Sequence, residues 1–167
     1  MQWMSNMTVG RRLTLGFSIM ILFMAVIGSV GYNGTGQVWQ SLVSIFRVRL
    51  PSIDYLIEAD RDFQQLMVAE RSIIFASTKS EVFKSLMSDY EQNLMQAGKR
   101  WNKYKALAAT PAEKEVIPKF EKAREEWKAI SRKVVDARLS NTEEGRRLAT
   151  ELTLGEAGEK FEAMRDY

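Results

Sequence analysis

Between residues 60 and 71 an apolar helical pattern is interrupted by Asp60, Arg61, Asp62, Gln64, Glu70 and Arg71. Asp60, Gln64, Glu70 and Arg71 fall on or beside the apolar face, and Arg61 and Asp62 flank it. A charge turned into a helix bundle costs several kcal/mol unless it is paired. Two chemistries fit that requirement. Some of these side chains line a ligand pocket between helices or between subunits, where arginine suits a carboxylate. Alternatively they pair with one another, with helix neighbours, or across a solvated seam. The candidate binding set is Asp60, Arg61, Gln64 and Arg71; Arg146, Arg147 and Thr150 are weaker candidates opposite them. Asp60 and Asp62 stand two residues apart and point in different directions on a helix, so a shared metal is not expected.

The composition removes most other chemistry. There is no Cys, hence no disulfide, thiol nucleophile or thiolate metal site. There is no His, hence no Ser-His-Asp or Cys-His catalysis and no imidazole ligand. Lysine or paired-carboxylate catalysis finds no site in the sequence. No catalytic residue, cofactor or metal is expected, and an enzyme is not.

Spacing predicts helices to carry these residues. The first outer helix runs from about Val38 to Ala76 with a kink at Pro51, and its inward stripe reads Ile53, Leu56, Asp60, Phe63, Met67, Glu70, Ile74. Ser80 caps a second, with Phe83, Leu86, Tyr90, Leu94, Ala97, Trp101, Tyr104 and Ala108 alternating by threes and fours. Thr110, Pro111 and Glu113 form a capping box before a third, with Val116, Phe120, Ala123, Trp127, Ile130, Val134 and Ala137 inward and a bend expected at Pro118. A fourth runs from about Thr142 to the end; Leu148 and Leu152 fit one phase, Leu154, Ala157, Phe161 and Met164 another. Trp101, Trp127, Tyr90, Tyr104 and Phe120 are expected to fill the core rather than stack a cofactor or bases. Short connections make neighbours antiparallel. The expected fold is all-α: an up-down-up-down antiparallel four-helix bundle preceded by an N-terminal transmembrane helix.

That leading helix is read from Leu13 to Gly31, nearly all apolar and close to the ~20 residues a bilayer core requires. The chain has 24 Lys and Arg against 21 Asp and Glu, a net +3, and its first 46 residues hold only Arg11 and Arg12. The body is therefore nearly neutral, and no clustered basic face points to nucleic acid. Arginines before the span place residues 1–12 in the cytoplasm and the rest outside. Ser29, Val30 and Gly31 also satisfy a signal-peptidase site, but the apolar run exceeds an ordinary signal core of 7–15 residues. The Gly31–Gly36 stretch reads as a soft joint, not a phosphate loop, since no strand precedes it.

The first outer helix would be ~58 Å long and the fourth only ~39 Å. The chain is therefore expected to be a fragment or truncated product of a longer protein, with a second membrane helix following.

The segment Met7-Thr-Val-Gly-Arg-Arg-Leu-Thr-Leu-Gly-Phe17 resembles the opening of bacterial methyl-accepting chemotaxis proteins, where a short basic segment leads into the first membrane helix. The stretch Leu50-Pro-Ser-Ile-Asp-Tyr-Leu-Ile-Glu-Ala-Asp-Arg-Asp-Phe-Gln-Gln-Leu-Met-Val-Ala-Glu-Arg71, within residues 50–75, resembles the first periplasmic helix of their four-helix-bundle sensor, Arg61 and Arg71 included. The resemblance implies a homodimer in the bacterial inner membrane, with residues 13–32 spanning and 33–167 forming a periplasmic sensor truncated in its last helix. It would bind a small molecule or a ligand-loaded binding protein and pass a helix displacement to a histidine kinase and adaptor through cytoplasmic parts absent from this chain. Asn141 to Arg147 departs from the family's last-helix ligand segment, so amino-acid specificity does not carry over. Two alternatives stay open: the sensor of a membrane histidine kinase or cyclic-dinucleotide enzyme, and a membrane-anchored helical scaffold.

Overall fold

The structure is a computed structural model that describes residues 8–167. Met7 of the N-terminal motif and most of the expected cytoplasmic segment lie outside the described residues. The chain divides into two compact units, residues 1–49 and 50–167. The first consists of α1 (Val9–Ser44) and a π-helical turn, Ile45–Arg49. No residue of α1 is buried, and its apolar stretch makes the helix long and apolar enough to cross a membrane. Helical backbone continues through the π turn into α2 (Leu50–Ile73). The turn precedes Pro51, which has no N–H to donate and crowds the carbonyl four residues back. A wider turn is a common way to absorb such a defect.

The second unit is helical throughout: α2, α3 (Glu81–Leu107), α4 (Pro111–Leu139), α5 (Glu143–Leu154) and α6 (Glu156–Arg165). It is a four-helix bundle whose fourth arm is α5 followed by α6. The local stop signals explain the helix starts. The Phe83 N–H donates to Ser80 Oγ at 3.1 Å. The Glu113 N–H donates to Thr110 Oγ1 at 3.2 Å while the Thr110 N–H donates to Glu113 Oε2 at 2.8 Å, completing the capping box. The Gly145 N–H donates to Thr142 Oγ1 at 2.9 Å. Asn141 takes φ 53°, a left-handed conformation asparagine tolerates. Its side-chain oxygen accepts from Thr78 Oγ1 at 2.7 Å, joining the α2–α3 and α4–α5 turns at one end of the bundle.

The stripes of α3 and α4 lie as the spacing predicts: Phe83, Tyr90, Ala97, Trp101 and Tyr104 are buried, as are Trp127, Ile130 and Val134. On α2 the phase differs. The buried residues are Ser52, Ala59, Asp62, Phe63, Leu66, Ala69, Glu70 and Ile73, whereas Ile53 and Leu56 are exposed. The face turns toward Ala59, Leu66 and Ala69 because small residues let α2 approach α3 closely, and because Asp62 and Glu70 find partners inside. The fourth helix is not continuous. Gly155, at φ −105° and ψ −108°, separates α5 from α6. The expected phases hold only on α6, where Ala157, Phe161 and Met164 are buried; on α5 Ala149 and Thr153 are buried instead, and Leu148 and Leu154 are exposed.

Gly145 is a position of close approach. A Cβ there would run into Ser140 Oγ and the Ala137 carbonyl oxygen. Gly145→Ala is expected to destabilise the bundle by about 1–3 kcal/mol in thermal unfolding. Gly98→Ala, in the middle of α3 with open space around it, is expected to stabilise by up to about 1 kcal/mol.

Candidate functional site

Four helices meet at a buried hydroxyl–carboxyl chain. Glu70 on α2, only 1% exposed, accepts from Ser131 Oγ on α4 and, at 2.5 Å, from Thr153 Oγ1 on α5. Ser131 has one hydroxyl proton and gives it to Glu70, so the Tyr90 hydroxyl on α3 donates to Ser131 Oγ at 2.8 Å. Burial pushes the Glu70 carboxyl above its ordinary value, against the pull of the two hydroxyls and of Arg71 nearby. Burial also raises Tyr90, again opposed by its bond to Ser131.

A second polar cluster lies about two to three turns earlier on α2. Asp62, fully buried, pairs with Arg100 on α3, and Arg61 Nη2 approaches its other oxygen at 3.3 Å. Arg100 Nε also holds Glu58 at 2.8 Å. At the far end, Arg138 on α4 is 1% exposed. Its Nε donates to the Ile73 carbonyl at 3.0 Å and its Nη2 to the Ala76 carbonyl at 2.5 Å. These are carbonyls at and just past the end of α2, which lack helical partners of their own.

The four candidate residues do not converge. Arg61 and Gln64 line one groove between α2 and α3, about 550 Å³, with Gln92, Asn93 and Gln96 across from them. Asp60 faces another side, where Arg165 Nε on α6 donates to its Oδ1 at 2.9 Å. Arg71 is exposed and lines neither space. The Lys- and Glu-rich face of α4 is a set of solvated pairs, Lys119–Glu115 at 2.7 Å and Lys128–Glu125 at 3.3 Å among them.

Compared with known protein families, residues 6–167 match the one described as a four helix bundle sensory module for signal transduction. The chain belongs to that family. No curated protein and no solved structure matches it. The family's role is sensory, which agrees with a site built of pairs and hydrogen bonds holding helices in register.

The buried polar residues of this sensory module are only partly legible in the sequence. Glu70 stands on the apolar stripe of α2, whereas Ser131, Thr153, Arg100 and Arg138 lie outside the candidate set. The available signal was register: Ser131 and Arg138 fall in step with Trp127 and Val134, on the same face of α4. Glu70 gives the module a testable pH response. Its folded-state value lies above the ordinary 4.5, so the stability associated with its protonated form is present at low pH and lost as pH rises through the folded value. Glu70→Gln cannot ionise. Its stability relative to the native protein is therefore expected to rise above about pH 4.5 and then level off, by about 1.4 kcal/mol for each unit of separation. Unfolding of both proteins across pH reads this; a difference that stays flat from about pH 4 to about pH 8 contradicts it.

Proposed function

We propose that this sensory module is the extracytoplasmic part of a transmembrane chemoreceptor. Residues 1–12 lie in the cytoplasm, 13–32 span the inner membrane, and 33–167 form the periplasmic sensor. The observation that carries this reading is the run of helix from the apolar α1 through Ile45–Arg49 into α2, the helix that bears both buried polar clusters. A ligand that shifts α2 acts on the same helical run that enters the membrane.

The proposed ligand is a small polar molecule held in the α2–α3 groove by Arg61 and Gln64. Guanidinium and amide N–H groups there supply donors for a carboxylate. Asp60 and Arg71 stand outside the groove and act on ligand only indirectly, through α2. A homodimer is part of the proposal, supported by an exposed apolar row on α2, Leu50, Ile53 and Ile57, spaced by three and four residues. The signal passes to a histidine kinase and its adaptor through cytoplasmic parts beyond this chain.

A thermal-shift screen of the detergent-solubilised chain against amino acids, organic acids and amines tests the site. A ligand at 100 times its Kd stabilises by about 2.7 kcal/mol. Arg61→Ala and Gln64→Ala are expected to abolish most of that shift; an unchanged shift in both refutes the groove.

A further inference from the structure

Among the described residues two carboxyl groups are buried, Asp62 and Glu70. Asp62 has the Arg100 guanidinium as its partner. Glu70 is bonded by hydroxyls alone, Ser131 from α4 and Thr153 from α5. No cation touches it from any side. On α2, Arg71 follows it but is exposed. α3 contributes the Tyr90 hydroxyl, through Ser131. On α4, Arg132 stands beside Ser131 but is held by Glu91 of α3, Nη2 to Oε2 at 2.7 Å. The charged residues of α5 are all exposed. The Thr153 bond is also the one hydrogen bond that joins α5 to α2 among the described residues.

The two protonation states of Glu70 load this junction differently. Protonated, its O–H bonds one of the two hydroxyls. That hydroxyl then turns its own proton to a carbonyl one turn back in its helix, as Ser and Thr inside helices do. Every tie between helices remains. Ionised, the carboxylate keeps its two donors but has no counter-charge, and a charge buried that way is costly. Burial holds the carboxyl above its ordinary range for the same reason. Water relieves the charge at least cost where α2 meets α5. That helix is short, Glu143–Leu154, and ends at the Gly155 break. Its apolar seat is small: Ala149 packs with Ile74, Ile130 and Val134. We propose that Glu70 is a proton-binding site that governs the docking of α5: with the proton bound α5 lies on α2, and with it released to solvent α5 opens and admits water. The module then responds to acidity itself. The α2–α3 groove takes no part, so failure of either proposal leaves the other standing.

Hydrogen–deuterium exchange of the full chain in detergent micelles tests this, resolved to α3 and α5 and divided at each pH by the intrinsic rate. Opening α5 puts Glu70 in water, where its ordinary value is 4.5. Protection of α5 is therefore expected to fall as pH rises above that value, by about tenfold for each unit of separation, and then to level off. α5 is expected to be less protected than α3 at every pH, because it opens without the rest of the bundle. In Glu70→Gln the protection of α5 is expected to stay flat with pH. Thr153→Val keeps the side-chain shape, removes one donor to the carboxylate, and is expected to deepen the fall. The same pH profile in the native protein and Glu70→Gln overturns the proposal. So does equal protection of α5 and α3, since the response then belongs to the whole bundle, and so does a fall that Thr153→Val leaves unchanged.

Discussion

Trp127→Ala is expected to cost the bundle about 3–5 kcal/mol, the range for truncating a large buried aromatic. Trp127 is 1% exposed and joins three arms of the bundle. Its ring meets Phe63 of α2 edge-on, centroids 5.5 Å apart, and Phe161 of α6 at 5.4 Å. Alanine removes the transferred apolar area, the edge-to-face contacts and the support of two further rings, and leaves a void the helices can only partly close. Unfolding by denaturant, followed through the loss of tertiary circular dichroism, reads the difference. Trp39→Ala is the control: Trp39 belongs to α1 and is 68% exposed, so its removal is expected to leave the transition where it was. A Trp127 variant as stable as the native chain would contradict the described core.

Asp62→Ala is expected to cost about 3 kcal/mol, at the lower end of the range for breaking a buried ion pair. The acid is fully buried, and its loss leaves Arg100 without its main partner inside the α2–α3 interface. The effect stays at the lower end because Arg100 keeps Glu58 at 2.8 Å. A double-mutant cycle separates the pair from its surroundings: Asp62→Ala and Arg100→Ala together are expected to cost clearly less than their sum. Replacing the two by Leu and Met is expected to recover most of the loss, because an apolar pair of similar volume needs no desolvated charge. Strict additivity in the cycle would show that the two side chains do not interact.

The two predictions rest on residues of unequal legibility. Trp127 lay on a stripe that alternates by threes and fours after an unmistakable capping box, and α4 forms as that pattern implies. Asp62 looked like a flanking residue. Its burial follows from Arg100, 38 positions away, and pairing at that distance is set by how α2 and α3 register against each other rather than by either helix alone. The same cause moves the first turns of α2 off the expected face, while Phe63, Glu70 and Ile74 are buried as the spacing implies. Ile53, Ile57 and Val68 are exposed while Ser52 and Asp62 are buried, so hydrophobicity along the helix misreports which side faces in. For the last arm the sequence held two conflicting phases and a glycine. Gly155 ends one helix and starts another; Ala157, Phe161 and Met164 then face inward on α6, while Leu148 and Leu154 on α5 are exposed. Of the site, Arg61 and Gln64 share a groove, as a helical spacing of three permits, while Asp60 turns to Arg165 on α6, a partner 105 positions away.

The absence of cysteine in the chain makes its placement directly measurable, because any introduced thiol is unique. Ser5→Cys and Glu81→Cys put one thiol on each side of the proposed span. Labelling of intact cells with a membrane-impermeant maleimide is expected to modify Glu81→Cys and to spare Ser5→Cys until the membrane is opened. Ser5→Cys labelled in intact cells, or Glu81→Cys protected in them, would contradict a membrane-anchored sensory module whose bundle faces outward.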